Sequence, residues 1–153
     1  MPLPKVGEIA PDFEAETDTG EVLRLSDFRG KRVVLYFYPR ADTPGCTTEA
    51  CGFRDDFSAY EELDAVILGV SPDTVKKQSN FKGKHDLPFP LVADVDHKVA
   101  ELYGVWQLKK MMGREYMGVV RTTFIIDKEG KISHVFEGVK PKQHSGEVLE
   151  ALS

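Results

Sequence analysis

The sequence predicts an α/β fold in which helices flank a mixed central sheet, with a β-hairpin as an N-terminal extension. Three observations predict it. Val33-Val34-Leu35-Tyr36-Phe37-Tyr38 and Ala65 to Val70 are continuous apolar runs, the pattern of strands covered on both faces. Between them, Ala50, Phe53, Phe57 and Tyr60 recur at three- and four-residue steps, so one side of a helix faces a core. Strand, helix, strand in that order implies a right-handed parallel crossover.

The elements follow in chain order. Glu8 to Phe13 is an extended lead-in around Pro11. Phe13 to Thr17 and Glu21 to Leu25 flank Asp18-Thr19-Gly20, a hairpin turn with glycine at the left-handed position. Ser26 to Gly30 reads as a short turn or a single helical turn. The first buried strand hands over to a helix from about Pro44 to Tyr60, on which Asp55, Asp56, Glu61 and Glu62 form a solvated face. Ser71-Pro72-Asp73 opens a second helix, Thr74 to about Lys84, with proline at its first position. Leu87-Pro88-Phe89-Pro90 ends it, and Leu91 to Ala93 is a short strand. Asp96 caps a helix that turns Val99, Leu102 and Tyr103 inward and stops at Gly104. Val105 to Val119 reads as either a mobile loop or an extra strand. Arg121 to Asp127 and Lys131 to Phe136 flank Asp127-Lys128-Glu129-Gly130 and form an antiparallel hairpin. Lys142 to Leu152 is the closing helix, with His144, Val148 and Leu152 in one row. A βαβ unit followed by ββα is the thioredoxin plan.

Composition narrows the function. A length of 153 residues suits one domain, residues 1–153. The chain is 41% hydrophobic with a net charge of -5, and its basic residues are scattered, so a nucleic-acid footprint is not expected. No apolar run approaches the roughly 18 residues of a membrane span. Met1-Pro2-Leu3-Pro4-Lys5 lacks the apolar core of a secretory signal, so the expected compartment is the cytoplasm, without membrane attachment. Two cysteines are too few for a disulfide scaffold, and in the cytoplasm such a pair is catalytic or redox-active more often than structural.

Both cysteines lie in Tyr38-Pro39-Arg40-Ala41-Asp42-Thr43-Pro44-Gly45-Cys46-Thr47-Thr48-Glu49-Ala50-Cys51, where strand meets helix. Thr43-Pro44 reads as an N-cap followed by proline in the first turn. Cys46 then sits near the third helical position, where free N–H groups and the positive end of the helix dipole favour a thiolate. In an ideal helix, residues five apart have Cα atoms roughly 8.6 Å apart. A disulfide needs less than about 7 Å. Cys46 and Cys51 therefore bond only if the first turns unwind, which Gly52 makes easier.

Pro39-x-x-x-Thr43-x-x-Cys46 resembles the peroxiredoxin active-site signature. The longer stretch from Tyr36 through Cys51 is similar to the peroxiredoxin Q group, also called bacterioferritin comigratory protein. The resemblance continues through Ala10-Pro11-Asp12-Phe13, Leu25 to Lys31, Asp86 to Leu91, Tyr103-Gly104-Val105-Trp106 and Arg121 to Asp127. It implies an antioxidant thiol peroxidase that reduces hydrogen peroxide and organic hydroperoxides. It also implies that Cys46 is the peroxidatic cysteine and Cys51 the resolving one, joined as an intrachain disulfide. Pro39, Thr43 and Arg121 complete the implied site, thioredoxin or glutaredoxin is the implied reductant, and a monomer or weak dimer is expected.

By itself, Arg121 reads as a surface or salt-bridge residue. Thr43 reads as a cap and Pro39 as a strand end that withholds a backbone donor. Cys51 reads equally as a core cysteine. Glu49 either pairs with Arg121 or occupies the acid-friendly first turn. Neither a metal nor a cofactor is expected: His85, His97, His134 and His144 are dispersed, and Cys-x4-Cys is not a common zinc spacing. A copper chaperone would want a Cys-x3-Cys pair and an anchor, both missing. A redox sensor shares the first oxidation step and stays open.

Overall fold

The computed structural model describes residues 3–153. The N-terminal hairpin pairs β1 (Glu14–Glu16) with β2 (Val22–Arg24), and Gly20 takes the left-handed conformation at its turn (φ +85°). A 3-10 turn over Leu25–Phe28 leads into β3 (Arg32–Phe37). Then come α1 (Pro44–Asp55), α2 (Phe57–Glu62), β4 (Ala65–Ser71), α3 (Val75–His85), β5 (Leu91–Ala93) and α4 (Lys98–Leu102). The chain closes with β6 (Trp106–Met111), β7 (Arg114–Val119), β8 (Thr122–Ile126), β9 (Ile132–Glu137) and α5 (His144–Leu152).

The main sheet has the order β5-β4-β3-β8-β9. β4 runs parallel to β3 and β5, whereas β8 runs antiparallel to β3 and β9, so the sheet is mixed as expected. Its two faces bury separate cores. Val33, Leu35, Phe37, Leu68, Val70 and Phe124 pack on one face. Val34, Tyr36, Tyr38, Ile67 and Ile125 pack on the other, against Ala50, Phe53 and Tyr60 from the helices. The alternation along β3 is hidden in the sequence because both faces are apolar. Gly69 supplies room in the second core, since a Cβ there would meet the Tyr36 ring at 2.9 Å.

Three local expectations are corrected, and one left open is decided. The helix expected from Pro44 to Tyr60 breaks at Asp56, whose carboxylate accepts from the Ser145 hydroxyl at 2.8 Å, while the Tyr60 hydroxyl donates to the Ser145 carbonyl at 2.8 Å. The break lets both side chains reach α5. Pro72 precedes α3 rather than opening it: Thr74 is the N-cap and accepts from Lys77 N–H at 3.2 Å. Asp94, not Asp96, satisfies the start of α4, accepting from Val99 N–H at 3.0 Å and Ala100 N–H at 2.9 Å. The segment Val105 to Val119 contains strand on both sides of a turn, an antiparallel hairpin, β6–β7, that among the described residues joins no other strand. Among the described residues, no helix is long and apolar enough to cross a membrane.

Candidate active site

Strand polarity brings the site together. β3 ends at Phe37, opposite Thr122, the first residue of antiparallel β8. The residue before β8 is Arg121, so it meets the end of β3 where the chain turns into α1. This delivers a side chain 75 positions from Cys46 to its sulfur, with Arg121 Nη2 donating to Cys46 Sγ at 3.2 Å. Cys46 is 1% exposed, and the guanidinium beside it 19%. The sulfur is sheltered from water but not from a cation.

Thr43 is the N-cap, in extended geometry with Pro44 next, and its carbonyl accepts from Thr47 N–H at 2.8 Å. Cys46 is therefore the third residue of α1, where backbone N–H groups lack partners within the helix. The expected side-chain cap is not made. Thr43 Oγ1 instead donates to the Arg40 carbonyl at 3.0 Å, which leaves its oxygen lone pairs free to accept. Pro39 is half-buried at the strand exit. The loop it starts is tied on two sides. Ala41 N–H donates to Asp73 Oδ2 at 2.7 Å. Asp42, in the left-handed conformation (φ 60°), takes Lys84 at 3.0 Å and His85 at 3.1 Å.

Two residues outside the expected five meet Arg121 beside the sulfur. Gly45 makes room for the arginine, because a Cβ there would lie 2.8 Å from Arg121 Nη2. Its position between the first-turn proline and Cys46 was the only sequence signal. Glu49 is 2% exposed, and its Oε1 accepts from Arg121 Nη1 at 3.2 Å. The pairing that the sequence left open is therefore made. Glu49 Oε2 is buried without a hydrogen-bond partner. Burial outweighs the guanidinium and pushes the Glu49 pKa up from 4.5 to about 7.

That shift sets a pH dependence. Between pH 4.5 and about 7 the folded chain keeps a proton on Glu49 that the unfolded chain has lost, so this residue's contribution to stability falls as pH rises through the window. Glu49→Gln removes the slope. Denaturant midpoints of the two proteins, measured from pH 4.5 to 8, should diverge in favour of the glutamine variant by on the order of 1–3 kcal/mol. Parallel curves would mean that Glu49 is ionised throughout.

Cys51 is half-buried on the same helix, α1 is unbroken across both cysteines, and both thiols are free. Beyond them, Phe53 is fully buried, its ring 4.8 Å from Tyr36, 5.8 Å from Tyr60 and 5.8 Å from His144. Arg54 Nη1 donates to the His85 carbonyl at 2.8 Å. The far half of α1 is thus anchored, and its first turns are held chiefly by Cys46, Glu49 and Ala50.

Comparison with known proteins finds the AhpC/TSA family pattern over residues 6–135. Peroxiredoxin Bcp of Bacillus subtilis (strain 168) is 55% identical over 148 residues, covering 97% of this chain and 94% of that protein. Peroxiredoxin Bcp of Escherichia coli (strain K12) is 46% identical, covering 97% and 95%. Among solved structures, the Xanthomonas campestris bacterioferritin comigratory protein superposes with a TM-score of 0.90 at 34% identity over 97% of each chain. That structure concerns alkyl peroxide reduction and a trapped intermediate/ligand complex.

Proposed function

Because this chain belongs to the AhpC/TSA family and is a thiol-dependent peroxidase like its Bcp relatives, we propose that Cys46 is the sulfur that peroxide oxidises and Cys51 the one that resolves it. The observation that carries the assignment is the Arg121 guanidinium 3.2 Å from a sulfur in the first turn of α1. The substrates are hydrogen peroxide and organic hydroperoxides. They approach past Arg121, the more exposed of the two groups.

The Cys46 thiolate attacks the terminal oxygen of RO–OH. A sulfur–oxygen bond forms, the O–O bond breaks, and the departing oxygen leaves as ROH once it takes a proton. Arg121 lies beside the charge as it moves from sulfur to oxygen. The Thr43 oxygen, its own proton committed to Arg40, accepts from the peroxide O–H. Pro39 offers no N–H to compete for the sulfur. Cys46 is then a sulfenic acid. Attack by the Cys51 thiol on that sulfur expels water and forms the disulfide. In an intact helix the pair is out of reach, so the turns from Pro44 to Cys51 unwind up to the anchored Phe53 and Arg54. Thioredoxin, or glutaredoxin in its place, reduces the disulfide by thiol exchange. We place this cycle in the cytoplasm, on a monomeric chain.

Peroxide consumption with thioredoxin as reductant tests the cycle. Cys51→Ser should oxidise at Cys46 at the wild-type rate, consume one equivalent and stop as the sulfenic acid. Continued turnover at the wild-type rate would remove Cys51 from the resolving role.

A further inference from the structure

Lys109, on the unattached hairpin, is not used by the cycle above. It faces Tyr116 across β6–β7, and its side chain crosses Gly118, where a Cβ would stand 3.1 Å from Lys109 Cδ. Its ammonium donates to the Val119 carbonyl at 2.9 Å and lies 6.0 Å from the Tyr116 ring centre. Val119 is two residues before Arg121, so the charge is folded back toward the site. Burial and, after it, the Arg121 cation push the Lys109 pKa down, while the Cys46 sulfur acts in the opposite direction.

Among the described residues no carboxylate pairs with Lys109. A half-buried cation without a counter-ion is costly, and an incoming anion would relieve it. One of its three donors is on Val119, which leaves donors for a ligand. On its own face of the hairpin two apolar side chains are exposed, Met111 at 60% and Tyr116 at 41%, while Leu108 and Met117 stand on the opposite face. An unpaired ammonium set in such a surface suits a molecule with an apolar body and an anionic end.

We propose that Lys109 is a specificity-determining residue, holding the anionic end of an organic hydroperoxide whose apolar body lies on the β6–β7 hairpin. This rests on Cys46 being the peroxide-reactive sulfur. The test uses a matched pair, cumene hydroperoxide and its ring-carboxylate derivative. Stopped-flow oxidation of Cys46 is followed in wild type, Lys109→Met and Lys109→Arg. The readout is the ratio of the two rate constants, in which any general loss of fitness cancels. In wild type it favours the carboxylate and shrinks as salt is raised. In Lys109→Met it falls about tenfold, the effect of one charge-assisted hydrogen bond, and loses its salt dependence. Lys109→Arg restores it. A ratio that is equal in wild type and Lys109→Met overturns the proposal, whether the separate rates fall together or not at all. Failure of the Cys46 assignment would look different, since neither hydroperoxide would oxidise that sulfur in wild type.

Discussion

Cys46→Ser is expected to abolish peroxide consumption while leaving the fold in place. A serine hydroxyl does not ionise near neutral pH and cannot form the sulfur–oxygen bond on which the cycle turns. The replacement is nearly isosteric, and the Arg121 Nη2 that donates to Cys46 Sγ at 3.2 Å can donate to a hydroxyl instead. The buried polar contact therefore survives, and the far-ultraviolet spectrum and thermal midpoint should stay close to wild type. The measurement is peroxide loss against time, with thioredoxin or dithiothreitol as reductant. The only sulfhydryl left in the variant is Cys51, so residual turnover would identify Cys51 as a nucleophile and reverse the two roles.

Arg121→Met should lower the rate constant for oxidation of Cys46 by roughly 10²–10³-fold, the usual effect of removing one donor aimed at developing charge. Lysine should not rescue it. A single ammonium cannot reach Cys46 Sγ and Glu49 Oε1 as two guanidinium nitrogens do, each at 3.2 Å. The stability cost should be modest for a residue that leaves a buried carboxyl behind. Glu49 already titrates near 7 and stays neutral once its cation is gone. Gly45→Ala is the gentler version of the same experiment. Its methyl group would displace the flexible end of Arg121, and a loss of about tenfold with little change in thermal midpoint is expected. Stopped-flow oxidation of both variants checks this. Wild-type rates in Arg121→Met would mean that the helix terminus alone sustains the thiolate.

The chain's own pattern carried most of the architecture, because apolar runs and turn residues act locally. The turn glycines, the two buried strands and the buried row His144, Val148, Leu152 all appear where their spacing places them. Misread places were those where a distant group decides. Asp56 interrupts α1 and α2 by accepting from Ser145, which is 89 residues away. Thr43 gives its proton to a loop carbonyl rather than capping the helix. The hairpin buries Val119 at its base but exposes Leu108, Met111, Tyr116 and Met117, so no burial pattern marks it as sheet.

The sequence by itself determined that a cysteine would sit in the first turn of a helix, because proline at the first position and Cys46 at the third are a matter of a few adjacent residues. Only the tertiary structure decided what surrounds that sulfur. Arg121 reaches it because β8 runs antiparallel to β3 and begins where β3 ends, and Gly45 lets it close to contact. Glu49 becomes a buried, half-satisfied carboxyl only when that arginine and the sheet close over it. Helix signals depend on neighbours along the chain, whereas charge placement depends on which strand ends meet in space.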